Sequence, residues 1–299
     1  MKRRGDAGVL SEGHFFLEAP RWHDGGLYAS DIYGGSVLRW PGDGGAPETV
    51  HRLGTCPSGL GWDREGRLMV VSMEDRKLLV ADGDGLLEVA DLSRLAPWHL
   101  NDMLVDAEGR AYVGNLGWDD EHDRRIASTI LIRVDPDGSA RAVAEELVNP
   151  NGMALTPDGR TLLVAETFAA RITAFTVDAG GGLSERRVWA RFGEGGYETM
   201  DDAYAEGALL PDGIALDRKG GLWVGDCRGR GASRVVEGGR ITDHVDTGEH
   251  ATFAVALGGA GGRTLFLCTG PAFETVDHRT ARAGAMCAFD VEVAAAGCP

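Results

Sequence analysis

The sequence predicts an all-β chain folded as a six-bladed β-propeller, and three observations lead there. A nine-residue frame recurs six times, as EAPRWHDGG at Glu18, SGLGWDREG at Ser58, NDMLVDAEG at Asn101, NGMALTPDG at Asn151, DGIALDRKG at Asp212 and FAVALGGAG at Phe253. Within it, the fourth residue on is bulky and apolar (Trp22, Trp62, Val105, Leu155, Leu216, Leu257), and the eighth is Gly26, Gly66, Gly109, Gly159, Gly220 or Gly261. The frames begin roughly 40 to 60 residues apart, a period in or near the range of propeller repeats.

Each frame reads as strand, tight turn, strand, with its glycine supplying the positive φ of the turn and an apolar run such as LMVVS or LWVGD following. Each interval has room for four strands. The third reads NDMLVD, RAYVGN, TILIRVDPDG, ARAVAEEL, and the fourth repeats the plan with NGMALT, TLLVAET, RITAFTVD, RRVWARF. Four-stranded antiparallel units set radially make blades. A two-sheet sandwich leaves the sixfold recurrence unexplained, so residues 1–299 are expected to form one propeller domain. GHFFLE, ahead of the first frame, and GAMCAFDVEV, near the end, both read as strands and are expected to pair and seal the last blade. Two intervals carry insertions: GWDDEHDRRIAST from Gly117, and the acidic stretch from Phe192 to Pro211, a candidate cover for the channel mouth.

Composition narrows the function. A formal charge of −16 argues against nucleic-acid or anionic-membrane partners, which call for a basic surface. No apolar run approaches the roughly 20 residues of a membrane span, and the basic N-terminus is not followed by a secretory core. Five scattered cysteines (Cys56, Cys227, Cys268, Cys287, Cys298) lack C-x-x-C spacing and suit reduced thiols in a cytoplasmic protein. The expected partner is a small molecule; monomer and dimer are both open.

The frame's first position varies. In a propeller the first strand of each blade lines the channel, so Glu18, Ser58, Asn101, Asn151, Asp212 and Phe253 are expected to form one ring. Two carboxylates and two amides in that ring make an all-oxygen site suited to a divalent cation, Ca²⁺ first, with Mg²⁺ or Mn²⁺ next and Zn²⁺ less natural without His or Cys. Without a cation, Glu18 and Asp212 repel, and one should hold a proton. A second polar set ends each second strand (Asp31, Ser72, Asn115, Glu166, Asp226, Thr269); it is expected near the ring, bonding ligands or substrate.

Glu18-Ala-Pro-Arg-Trp, Asn101-Asp102 before VDAEGRAYVGN, Pro150-Asn151-Gly152, and Pro211-Asp212-Gly213 with LWVGD resemble the SMP-30/gluconolactonase/LRE family of six-bladed propellers over nearly the whole chain. The resemblance implies that Glu18, Asn151 and Asp212 hold one divalent cation, that Asn101 completes the site or contacts substrate, and that Asp212 is the general base of a lactonase. Asp102 and Glu166 are candidates to share that duty or bind substrate. One position departs from the aldonolactonase pattern: His99 stands where an Arg often faces sugar hydroxyls. With Trp98 and Trp118 at the mouth, this makes the pocket more apolar than a sugar site, and His99 and Trp118 join the candidate substrate contacts. The expected activity is metal-dependent opening of a sugar or other small lactone. The alternatives are phosphotriester or other ester hydrolysis, non-hydrolytic cyclisation or isomerisation, and non-catalytic calcium binding.

Overall fold

Six sheets of antiparallel strands surround a central channel. The computed structural model describes residues 2–42, 44–119 and 122–297, with the backbone alone for residues 2–6; Cys298 and part of the first insertion lie outside them. The innermost strands are Leu17–His23, Pro57–Trp62, Leu100–Val105, Pro150–Leu155, Pro211–Leu216 and Ala251–Gly258, one per blade. Each touches the next around the full circle, and the sixth touches the first. Every frame start lies within such a strand.

The frame's apolar position explains how the blades adhere. Of the clusters of buried side chains among the described residues, six lie one between each neighbouring pair of blades, and a seventh gathers Phe16, Ile32, Trp118, Phe168 and Tyr204 at one end of the channel. Trp22, Trp62, Val105, Leu155, Leu216 and Leu257 each join a different cluster. Trp22, for example, stacks on Phe266 of the sixth blade, with ring centroids 5.6 Å apart. One residue in each repeat thus docks its blade on the one before; five of the six are partly buried, so each contributes up to about 2 kcal/mol to its interface. The turn glycine behaves as expected in five frames. In the first, the left-handed residues are Asp24 (φ +44°) and Gly25 (φ +72°), which form a tighter turn ahead of Gly26.

The ring closes at the N-terminus, one strand earlier than expected. Gly8–His14 pairs antiparallel with Gly284–Asp290 as the outer strand of the sixth blade, and GHFFLE straddles the bend between that strand and Leu17–His23. Upstream, Lys2–Asp6 adds a parallel fifth strand to Arg240–Asp246 of the fifth blade. One N-terminal segment therefore covers the outer edges of two neighbouring blades, where an exposed edge would invite pairing with other chains.

The two insertions dock on each other. Residues 200–206 form a short helix whose N-cap, Thr199, makes a capping box with Asp202. Met200 N donates to Arg124 O at 2.9 Å, Ile126 N to Glu198 O at 3.0 Å, and Arg124 pairs with Asp201. Among the described residues no helix is long and apolar enough to cross a membrane.

Candidate functional site

Every inner strand breaks register at the frame's first position. Pairing with the second strand slips between Glu18 and Arg21, Pro57 and Leu60, Leu100 and Met103, Pro150 and Met153, Pro211 and Ile214, and Thr252 and Ala254. A bulge bends the strand and re-aims a side chain. Here six bulges at one level serve the six variable residues. Neighbouring inner strands run close at this point: a Cβ on Gly213 would lie 2.5 Å from Ala254 Cα, and one on Gly152 would lie 2.6 Å from Ile214 N. The residue after the variable one is accordingly Ala19, Gly59, Gly152, Gly213 or Ala254 in five blades.

The third blade carries Asp102 there instead. Its carboxylate accepts from Arg21 Nη2 at 2.7 Å and from Met103 N at 2.8 Å, and Arg21 also donates to Met103 O at 2.7 Å. Arg21 and Asp102 are both buried and form a plug across the channel. On one side opens a cavity of about 310 Å³ with Glu18, Asn101, Asn151 and Asp212 among its lining residues. On the other, Arg21 borders a separate space of about 530 Å³ among the turns. The smaller cavity holds the acidic constellation.

Glu18 and Asp212 are 8% and 5% exposed. Burial, with Asp102 nearby, pushes the Glu18 carboxyl up to about 8, against the pull of the Ala19 N–H and Arg21. Burial and then the charges of Glu18 and Asp102 hold Asp212 well above the usual carboxylate range, opposed by a hydrogen bond from Asn151. Each of the two carboxylates thus disfavours the charge of the other. Asp212 Oδ1 is buried with no hydrogen-bond partner among the described residues, an uncommon state for a carboxylate oxygen. Asn101 Nδ2 donates to Asn149 Oδ1 and Asn151 Nδ2 to Thr167 Oγ1, both at 3.3 Å. No cluster of three or more His, Cys, Asp and Glu side chains suited to a metal occurs among the described residues; the floor combines two carboxylates with two amides.

The second polar set does something other than expected. Each member pairs with the residue just before the variable one: Leu17 with Asp31, Pro57 with Ser72, Leu100 with Asn115, Pro150 with Glu166, Pro211 with Asp226, Thr252 with Thr269. Three of them are carboxylates that clamp backbone. Asp31 accepts from Phe16 N at 3.0 Å, Glu166 from Val148 N at 2.9 Å, and Asp226 from Leu210 N at 3.2 Å. These are the segments that deliver Glu18, Asn151 and Asp212. Glu166, a candidate substrate contact from the sequence, lies outside the cavity lining. It is fully buried and saturated by Arg171 at 2.8 Å, Arg186 at 3.3 Å and Thr173, away from the cavity wall.

Three other candidates also lie off the cavity wall. Asp102 is committed to Arg21 beneath the floor. Trp118 is buried against Phe168 (centroids 5.7 Å), and His99 stacks on Trp98 at 4.3 Å. Trp118 still supports the pocket from behind, since Phe168 does line it. The sequence reading missed Tyr204 and Met200, which the second insertion brings into the wall, and Ile32, Met73 and Leu116. A signal existed: each of the last three directly follows a member of the second polar set. The four described cysteines are free thiols. Cys227 lines the cavity and Cys268 lies buried nearby, and burial followed by neighbouring carboxylates raises both thiols, which disfavours a nucleophilic thiolate.

A closed six-bladed propeller with a buried acidic floor and an apolar throat defines the class of protein. The chain belongs to the SMP-30/gluconolactonase/LRE-like family, whose model matches residues 16–270. A 6-deoxy-6-sulfogluconolactonase of Pseudomonas putida is 26% identical over 289 residues, covering 94% of this chain and 92% of that one. Regucalcin of Danio rerio is 26% identical, over 72% of this chain and 69% of its own. Among solved structures, a calcium-binding regucalcin from Agrobacterium tumefaciens superposes with a TM-score of 0.79 at 18% identity, covering 99% and 97% of the two chains. A gluconolactonase from Xanthomonas campestris gives 0.72 at 24% identity, covering 94% and 88%.

Proposed function

We propose that the protein is a divalent-cation-dependent lactonase whose active site is the floor of the smaller cavity. The observation that carries this reading is the buried charge balance. Glu18, Asp102 and Asp212 lie together with Arg21 as their one close cationic partner, and an oxygen of Asp212 has no hydrogen-bond partner among the described residues. Fully ionised, the three carboxylates and one guanidinium leave two negative charges, which suits a divalent ion. The donor set fits such an ion: Glu18, Asn101, Asn151 and Asp212 would hold it, and all four offer hard oxygens suited to Ca²⁺ ahead of Mg²⁺, Mn²⁺ or Zn²⁺. Family relatives named as lactonases and as regucalcin support the pairing of lactone chemistry with a cation.

When bound, the cation supplies Lewis-acid polarisation of a lactone carbonyl. The chain's own residues do the rest. Asp212 takes a proton from the attacking water and returns it to the departing ring oxygen as the C–O bond breaks. Asn101 orients the substrate from the floor. The Arg21–Asp102 plug closes the channel below, so water and substrate enter from the mouth. Asp31, Glu166 and Asp226 keep the ligand-bearing backbone in place, which is the preorganisation such a site needs.

Asp212→Asn tests the reading. It is expected to fold normally while lactone turnover drops on the order of a thousandfold, the scale of losing a base and a ligand together. Turnover at the wild-type rate in that variant would remove Asp212 from the chemistry.

A further inference from the structure

The floor is polar, whereas most of the wall above it is apolar. The residue after the second strand's polar position is Ile32, Met73, Leu116, Thr167, Cys227 or Gly270, and five of the six blades send it into the cavity wall. The first five line the cavity. The one hydroxyl among them is spent: Thr167 Oγ1 donates to Pro211 O at 2.8 Å and receives Asn151. Phe16, Phe168, Tyr204 and Phe273 fill the gaps between these positions. Behind them, Phe16 packs on Phe253 (centroids 4.6 Å) and His278 (4.9 Å), so the wall is backed by further rings. The polar groups of the wall are few: the phenols of Tyr33 and Tyr204, Asn149, which accepts from Asn101, and, at the rim, Glu274 and Arg124, the latter already paired with Asp201.

We propose, building on the lactonase reading, that this protein's substrate is a lactone bearing hydrocarbon substituents, not a polyhydroxylated sugar lactone. The reacting ester sits on the oxygen-rich floor, and its alkyl or aryl body fills the throat. A sugar lactone would press hydroxyls against Ile32, Met73, Leu116 and Phe168, side chains that offer them no hydrogen bond; each hydroxyl left unmatched weakens binding by about tenfold. A volume of about 310 Å³ takes a compact ring with a short chain, equal to some ten water volumes. Each methylene that enters tightens binding about fourfold until the throat is full.

The test separates binding from turnover by using lactams, whose amide resists hydrolysis. Calorimetric titration of the intact protein, with calcium present, compares δ-valerolactam bearing methyl, propyl and pentyl groups with a tetrahydroxylated lactam of gluconolactone geometry. Expected is a stepwise rise along the alkyl series and binding at least a hundredfold weaker for the hydroxylated compound. Phe273→Asn, at a 43% exposed rim position, and Met73→Gln are expected to flatten the alkyl series. Tighter binding of the hydroxylated lactam, a flat alkyl series in the wild type, or no binding by either compound overturns the proposal. Hydrolysis of the matching lactones is assayed alongside. Alkyl-lactam binding without alkyl-lactone hydrolysis would defeat the lactonase reading and leave the apolar preference standing; faster hydrolysis of gluconolactone would do the reverse.

Discussion

Replacing Glu18 by Gln is expected to make the cation-free protein more stable at neutral pH, the opposite of what removing a functional residue from a packed channel usually does. The carboxyl of Glu18 lies at about 8 in the folded chain against 4.5 for an ordinary glutamate. Between those values the unfolded chain releases its proton while the folded chain keeps it, so stability falls as pH rises through that window. At about 1.4 kcal/mol per pH unit, the loss from this one group reaches about 3 kcal/mol by pH 7. Asp212, raised by the same burial and by Glu18 itself, pushes in the same direction. Glu18→Gln is neutral without taking up a proton on folding, so a gain of about 2 to 3 kcal/mol is expected at pH 7, on the order of 5 °C in Tm. The assay is calorimetric melting of EDTA-treated protein from pH 5 to 8. Wild type should lose Tm across the range and recover it when calcium is added; Glu18→Gln should show a shallower slope and little response to calcium. Parallel pH profiles for the two proteins would refute the reasoning, because they would mean that folding does not hold a proton on Glu18.

Two further substitutions test the scaffold around the floor. Glu166→Gln leaves Arg171 and Arg186 without their carboxylate and loosens Val148, so a loss of about 2 to 3 kcal/mol in denaturant unfolding is expected, together with weaker calcium binding through displaced Asn151; unchanged calcium affinity would show that the clamp does not position the ligand. Gly213→Ala places a methyl 2.5 Å from Ala254 Cα between two inner strands, and about 2 kcal/mol of destabilisation is expected; an unchanged Tm would mean that the fifth and sixth blades can separate freely.

The repeat made the fold legible. Trp22, Val105 and Leu257 look alike in sequence because each performs the same docking task between blades, and the variable position before them stood out because it escapes that task. Glu18, Asn101, Asn151 and Asp212 could therefore be picked out as one ring and do line one cavity. Relations that no local pattern records were not legible. The Arg21–Asp102 pair joins residues 81 positions apart, and only closure of the ring brings them together. Glu166 read as a site residue because its register is right, but strand pleat turns it outward, where Arg171 and Arg186 satisfy it. Trp118 packs against Phe168, which lines the cavity in its place, and His99 stacks on Trp98 outside the cavity lining, contacts that no local pattern records. The terminal strand was misplaced by a few residues because Phe15 and Phe16 extend an apolar run through a bend that Asp31 fixes from another strand.

The most direct test of the central claim is a cation titration of lactone hydrolysis. Protein stripped with EDTA is assayed on a panel of alkyl, aryl and sugar lactones while Ca²⁺, Mg²⁺, Mn²⁺ or Zn²⁺ is added back. The account predicts negligible turnover in the stripped protein and saturable recovery at one equivalent of bound cation, with recovery abolished in Asp212→Asn. Full activity in the stripped protein, or one cation bound with no lactone opened, would contradict it.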